Sequence, residues 1–233
     1  MAFQCAVIGL GRFGSQVALE LTSHRVPVLA IDADRETVEL ISDKVDLALC
    51  FNATNEAALR DARIQDKDVV VCAIGDQSVE DSILTTALLR QIGVRRIVAR
   101  ASTDLHARIL RIVGATDVVN PEKEMGLRIA QRIITPELTE LIPLASGAAI
   151  AELAVPKSFA GKSLIDLRIR SRYGVNIIGL RRLQTPEGGK SDSSTDLSRQ
   201  FILTPPPDEP FQPNDILVVA GTEEDVKKFA GLT

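Results

Sequence analysis

Residues 5–14 read Cys5-Ala-Val-Ile-Gly9-Leu-Gly11-Arg-Phe-Gly14, a short apolar run that breaks into closely spaced glycines. A strand that turns at once into a helix satisfies this stretch. Gly9 permits the tight turn, Gly11 lets phosphate oxygens come up to the backbone, and Gly14 lets helix and strand pack closely. The helix start then offers unpaired N–H groups and a positive dipole end to an anion. The next apolar run, Val26-Pro-Val-Leu-Ala-Ile-Asp32, ends on Asp32, with Ala33 and Asp34 following. A carboxylate there suits the ribose hydroxyls of an adenosine. Inside the loop, beside Phe13, Arg12 adds a forked phosphate donor. Two plainer readings fit the same residues: glycines that serve packing alone, and Arg12 as a solvated cation at a helix start.

Working outward, the pattern repeats. Strand-like runs recur at Leu47–Phe51, Asp68–Ile74, Arg96–Arg100 and Asp117–Asn120, with longer amphipathic stretches between them. Near-continuous apolarity is what strands covered on both faces require. Asp81–Ile92 and Leu105–Val113 carry apolar residues at helical spacing, and Gly93 and Gly114 follow as C-caps. The fold class is therefore α/β, a Rossmann-type parallel sheet over residues 1–138. In such sheets ligands bind outside the carboxyl ends of the strands. That edge gathers Asn52-Ala53-Thr54, Ala73-Ile74-Gly75-Asp76 and Arg100-Ala101-Ser102, with His106 early in the fifth helix. The adenosine and first phosphates are common to ATP, ADP and NAD(H), so the motif leaves all three open.

The rhythm then changes. Gly126–Leu141 reads as one more helix, kinked or restarted at Pro136 and ended by Pro143. A linker at about 136–146 separates a second domain, 139–233, with the signals of a small α+β unit. These are an apolar run ending at Pro156, a helix Ser163–Ser171, strands Val175–Leu183 and Asp215–Ala220, and a helix Glu223–Leu232. Phe201-Ile-Leu-Thr204 is a strand stopped by Pro205-Pro-Pro207. Thr185–Asp196, polar and rich in Gly and Ser, predicts a loop with nothing to bury.

Composition narrows the function. With 27 Lys and Arg against 31 Asp and Glu the formal net charge is −4, and aromatics are 3% with no Trp. Nucleic-acid binding rests on surplus cations and stacking platforms, so that class falls away. No apolar run approaches the roughly 20 residues of a membrane span, and the start carries no basic, cleavable leader. Cys5, Cys50 and Cys72 each sit in an apolar run and read as small buried hydrophobes. Catalytic groups are sparse: one Tyr (Tyr173) and two His, His24 at a helix end and His106 near the cleft. An NAD-dependent oxidoreductase remains the alternative, but no acid and base stand in obvious register.

Together with these stretches, Asn120-Pro-Glu-Lys-Glu-Met-Gly126 resembles the RCK (KTN) proteins, the cytosolic subunits of bacterial Trk and Ktr potassium transporters. The resemblance covers nearly the whole chain. It implies a Rossmann N-domain, a linking helix and an RCK C-domain. It also implies a protein that is not an enzyme: a ring of eight subunits built from dimers, cytoplasmic and peripheral on the inner face of the cell membrane. The ring docks on an integral membrane subunit that conducts potassium. Carried over residue by residue, Asp32 holds the ribose and Arg12 reaches the terminal phosphate of ATP. Glu122 sits near a neighbouring subunit's phosphates with Mg²⁺ or Na⁺ between. The C-domain resembles the family's cyclic di-AMP module through Leu164, Ile165, Ile169, Arg170, Asn176 and Ile177, with Pro205 as a further wall. The same aliphatic residues also suit a plain core and dimer face.

Overall fold

The computed structural model describes residues 3–75, 78–134, 138–144, 147–183 and 199–231. It divides into two compact units, Met1–Met125 and Gly126–Thr233. In the first, strands β1 (Cys5–Ile8), β2 (Val28–Asp32), β3 (Leu47–Cys50), β4 (Val69–Cys72), β5 (Ile97–Arg100) and β6 (Asp117–Val119) form one sheet. Its order is β3-β2-β1-β4-β5-β6, and every pairing is parallel. Helices α1 (Arg12–Ser23), α2 (Arg35–Ser42), α3 (Glu56–Asp61), α4 (Val79–Ile92) and α5 (Asp104–Val113) alternate with the strands. The order reverses between β1 and β4, which opens the crevice at their carboxyl ends.

Burial follows position in the sheet. β1 and β4 are buried along their whole length, and each face has its own apolar cluster, one around Ile8, Ile31 and Leu59, the other around Val7, Ala30 and Val71. β3 lies at the edge, where Leu47 and Cys50 are exposed. That corrects the expectation of three buried cysteines: Cys5 and Cys72 are buried, but an edge strand has one neighbour and one open side. Burial pushes both buried thiols above the ordinary range.

The linking helix also differs from expectation. Helix α6 runs Pro121–Ile134, and Leu138–Pro143 is a strand, β7. The start was signalled locally. Lys123 N donates to Asn120 Oδ1 at 3.0 Å, and Pro121 takes the first helical position, where its missing N–H costs nothing. The end was decided by tertiary pairing: β7 is antiparallel to β8 (Ala148–Ala154) and buries Leu138 in the second core. Pro136 lies outside the described residues. The division between the units falls inside α6, ahead of the expected linker.

The second unit adds α7 (Leu164–Leu167), α8 (Ile169–Tyr173), β9 (Asn176–Leu183), β10 (Arg199–Leu203), β11 (Ile216–Thr222) and α9 (Glu223–Ala230). Its antiparallel sheet has the order β10-β9-β11-β8-β7. In β8 the residues Ala149, Ala151 and Leu153 are buried while those between are less so, the period-two pattern of a sheet with one covered face. Phe159, Tyr173 and Phe229 meet with ring centroids 5.3–5.9 Å apart. The expected helix Ser163–Ser171 is two short helices broken at Arg168, whose φ of +48° is left-handed. The expected loop Thr185–Asp196 lies outside the described residues.

Candidate functional site

The two motif glycines that pack are separated by geometry from the one that does not. A Cβ on Gly14 would lie 1.8 Å from Gly9 O, and Gly9 has φ +89° with a built Cβ 2.8 Å from Ile74 N. A Cβ on Gly11 meets nothing within 4 Å. The fold alone therefore requires Gly9 and Gly14, whereas at Gly11 a side chain would meet only open space. Gly11 also lines a cavity of about 550 Å³ at the crevice, within the range of small-molecule sites.

Asp32 lines the same cavity. Its Oδ2 accepts from Leu10 N at 2.5 Å and its Oδ1 from Asp34 N at 2.9 Å. The carboxylate thus ties the glycine loop to the end of β2. Each carboxylate oxygen has two lone-pair sites, so each retains one for a ribose hydroxyl. Asp34 instead caps α2: Thr37 donates to it through hydroxyl and backbone N–H, holding the Asp34 carboxyl below the ordinary carboxylate range.

Of the residues expected at the cleft, Gly9, Gly11, Asp32, Ala33, Asn52, Ala53, Ala73, Ile74, Gly75 and Arg100 line the cavity together. Asp76 lies outside the described residues. The rest have other places. Phe13 packs on the core and Gly14 is buried under the loop. Thr54 donates to Asn52 Oδ1 through both N–H and hydroxyl, which shapes the turn after β3. Ala101 is buried. His106 is 4% exposed, with Nδ1 accepting from Ser102 N at 3.4 Å, which places it and Ser102 in the support of the α5 turn. Arg12 is exposed at the first turn of α1, outside the cavity lining. Glu122, in the first turn of α6, pairs with Arg100.

Ser78 and Asp81 also line the cavity, together with Ile8 and Phe51. Sequence reasoning started α4 at Asp81 and so missed both; Ser78-Val-Glu-Asp81, a cap residue followed by acids, was the available signal.

A second cavity, of about 590 Å³, lies in the other unit. It joins six of the seven expected residues, Leu164, Ile165, Ile169, Arg170, Asn176 and Ile177, and adds Arg168, Ser171 and Val175. Neither Arg168 nor Arg170 makes an ion pair among the described residues. Pro205 is buried and is not part of the lining.

Fold and crevice define a Rossmann-type α/β unit followed by a second unit built on an antiparallel sheet. The RCK domain of GsuK has this fold: TM-score 0.64 at 20% identity, over 100% of this chain and 48% of that one, so the chain spans about half of that structure. A family model described as the TrkA-N domain matches residues 5–121. The Ktr system potassium uptake protein C of Bacillus subtilis is 32% identical over 229 residues, 98% of this chain and 96% of that protein. Protein A of the same system and organism is 32% identical over 226 residues, 97% and 95%. The chain belongs to the TrkA-N family and is related over nearly its full length to the Ktr potassium uptake proteins.

Proposed function

We propose that the chain is a cytosolic, nucleotide-sensing regulatory subunit of a potassium uptake system. It binds an adenine nucleotide, ATP or ADP and also NAD(H), in the first unit and cyclic di-AMP in the second. It acts as a gating ring of eight subunits, made of dimers, on a separate membrane subunit that conducts potassium. The observation that carries the nucleotide reading is the cavity at the strand ends that Gly11, with open space beside it, Asp32 and Arg100 line together. These supply a phosphate approach, a ribose acceptor and a phosphate donor. Arg12, exposed and without an ion pair among the described residues, is the reader of the terminal phosphate. Mg²⁺ or Na⁺ beside Glu122 offsets repulsion between that carboxylate and the phosphates.

The potassium system is supported by kinship with the Ktr proteins. Among the described residues no helix is long and apolar enough to cross a membrane, so in this reading conduction belongs to the partner. The described residues lining the cleft bring carboxylates and one guanidinium but no His, Tyr, Lys or Cys, which favours sensing over hydride chemistry.

Calorimetric titration of the full chain with ATP, ADP and NADH, with and without Mg²⁺, tests this when particle mass is followed by light scattering. Tight ATP and ADP binding to a large ring is expected, with a Mg²⁺ effect confined to ATP. NADH binding alone, on a monomer or dimer, overturns the reading in favour of an oxidoreductase. Cyclic di-AMP is expected to bind at micromolar concentration, and its failure to do so removes the second ligand.

A further inference from the structure

Arg100 ends β5 and lines the nucleotide cleft beside Gly75, whose built Cβ would lie 3.4 Å from Arg100 Nη1. Its Nη2 donates to Glu122 Oε1 at 2.6 Å. The two side chains differ in exposure, 15% for Arg100 and 60% for Glu122. The guanidinium is thus set in the cleft wall, and the carboxylate reaches it from outside. Glu122 belongs to the first turn of α6, the helix that continues past Met125 into the second unit.

A largely buried guanidinium needs an anion, and its planar fork accepts a carboxylate or a phosphate alike. We infer that Glu122 is a resident counter-anion of Arg100, and that a nucleotide phosphate entering the cleft displaces it and frees the first turn of α6. This rests on the nucleotide reading above and adds to it a residue that competes with the ligand. The freed carboxylate is then available to a cation. The occupied cleft and the released turn are two states of one ion pair, so a ligand that takes Arg100 loosens the helix start by mass action. A second pair, Lys123 Nζ to Asp104 Oδ1 at 2.7 Å, ties the same turn to α5, which keeps the release local.

The sign of one substitution separates this from a carboxylate that only supports the ligand. A competitor lowers apparent affinity, so removing it raises affinity. The full chain is titrated with ADP and with NADH in a chelator, for wild type, Glu122→Gln, Arg100→Gln and the double variant. Glu122→Gln is expected to bind about three- to fivefold more tightly, the scale of a partly exposed ion pair. Arg100→Gln is expected to bind about tenfold more weakly. In the Arg100→Gln background Glu122→Gln should change nothing, which separates a specific exchange from the general field of one carboxylate. Amide hydrogen exchange at residues 122–124 should quicken when ADP is added to wild type. Equal or weaker binding by Glu122→Gln overturns the inference, as does a gain that persists without Arg100. Wild type that binds neither ligand overturns the nucleotide reading itself, a different result from one in which wild type binds and Glu122→Gln does not gain.

Discussion

The crevice cavity of the first unit and the cavity beside α7 and α8 in the second are built on opposite principles. In the first unit the lining is rich in residues with little or no side chain, Gly9, Gly11, Ala33, Ala53, Ala73 and Gly75, with Asp32 and Arg100 as charged anchors, so backbone forms much of the wall. In the second the lining carries larger residues from two very short helices and the start of β9: Leu164, Ile165, Arg168, Ile169, Arg170 and Asn176. A backbone site tolerates almost no change in chain geometry, because its shape is its covalent framework. A side-chain site divides its residues between packing and ligand, as Ile169, buried in the core while lining the cavity, illustrates.

The largest test of that contrast is Gly14→Ala. Its Cβ would overlap Gly9 O, so backbone must move, and a loss of about 3 kcal/mol or more is expected in denaturant unfolding of the first unit, together with loss of nucleotide binding. A variant that melts like wild type breaks the claim that the loop is rigid.

In the second unit the comparable effect comes from a side chain. Arg182 donates through Nε and Nη2 to Asp215, which is 1% exposed, and also to Glu209 and the Pro210 carbonyl. The Asp215 hydrogen bonds hold the guanidinium pKa above its ordinary value despite opposing desolvation. Arg182→Ala leaves a buried carboxylate without this partner, and a cost of about 3 kcal/mol is expected. Hydrogen exchange on the full chain should place the loss in residues 147–183 and 199–231 and leave the first sheet protected.

Gly11→Ala separates ligand from fold within the backbone site. The melting temperature should hold, since the new methyl meets nothing, while nucleotide affinity falls about tenfold, or ~1.4 kcal/mol. Unchanged affinity would assign the open space to no ligand.

Arg168→Asn makes the matching separation in the second cavity. Arg168 occupies left-handed backbone that asparagine adopts more readily. The variant should gain about 0.5 kcal/mol of stability and bind cyclic di-AMP more weakly, as calorimetry would show. A gain without loss of binding would make the cation a bystander.

The smallest effect is electrostatic and common to both units. Ser163 donates to Asp166 through its backbone N–H and its hydroxyl, lowering that carboxyl's pKa as Thr37 lowers that of Asp34. A pKa lowered by folding contributes stability above the unfolded value, about 3.9, that is lost as pH falls through the folded one. Both units should weaken below about pH 4. Ser163→Ala should flatten that dependence in the second unit alone, and Thr37→Val in the first alone.

Much of the first unit could be read from its residues, because each step was local. The glycine spacing dictates a turn, Asp32 closes the next strand, and ten of the cleft residues assemble where strand ends must converge. What local pattern misplaced was set by neighbours. Cys50 looked like a core residue because its strand is apolar, yet β3 ended up at the sheet edge. Leu138–Leu141 looked helical because the preceding residues are, yet pairing with β8 outweighed that propensity. His106 looked like a ligand residue by its place in the chain, yet its turn folds it into the protein.

The amino-acid sequence by itself determined the parallel character of the first sheet, the glycine loop and the family, since these rest on backbone conformations that a few residue types permit. The tertiary structure alone decided which cleft residues face the cavity, the break at Arg168 and the pairing of Arg100 with Glu122. Contacts between residues far apart in the chain depend on the summed packing of every element between them, and no local spacing encodes that sum.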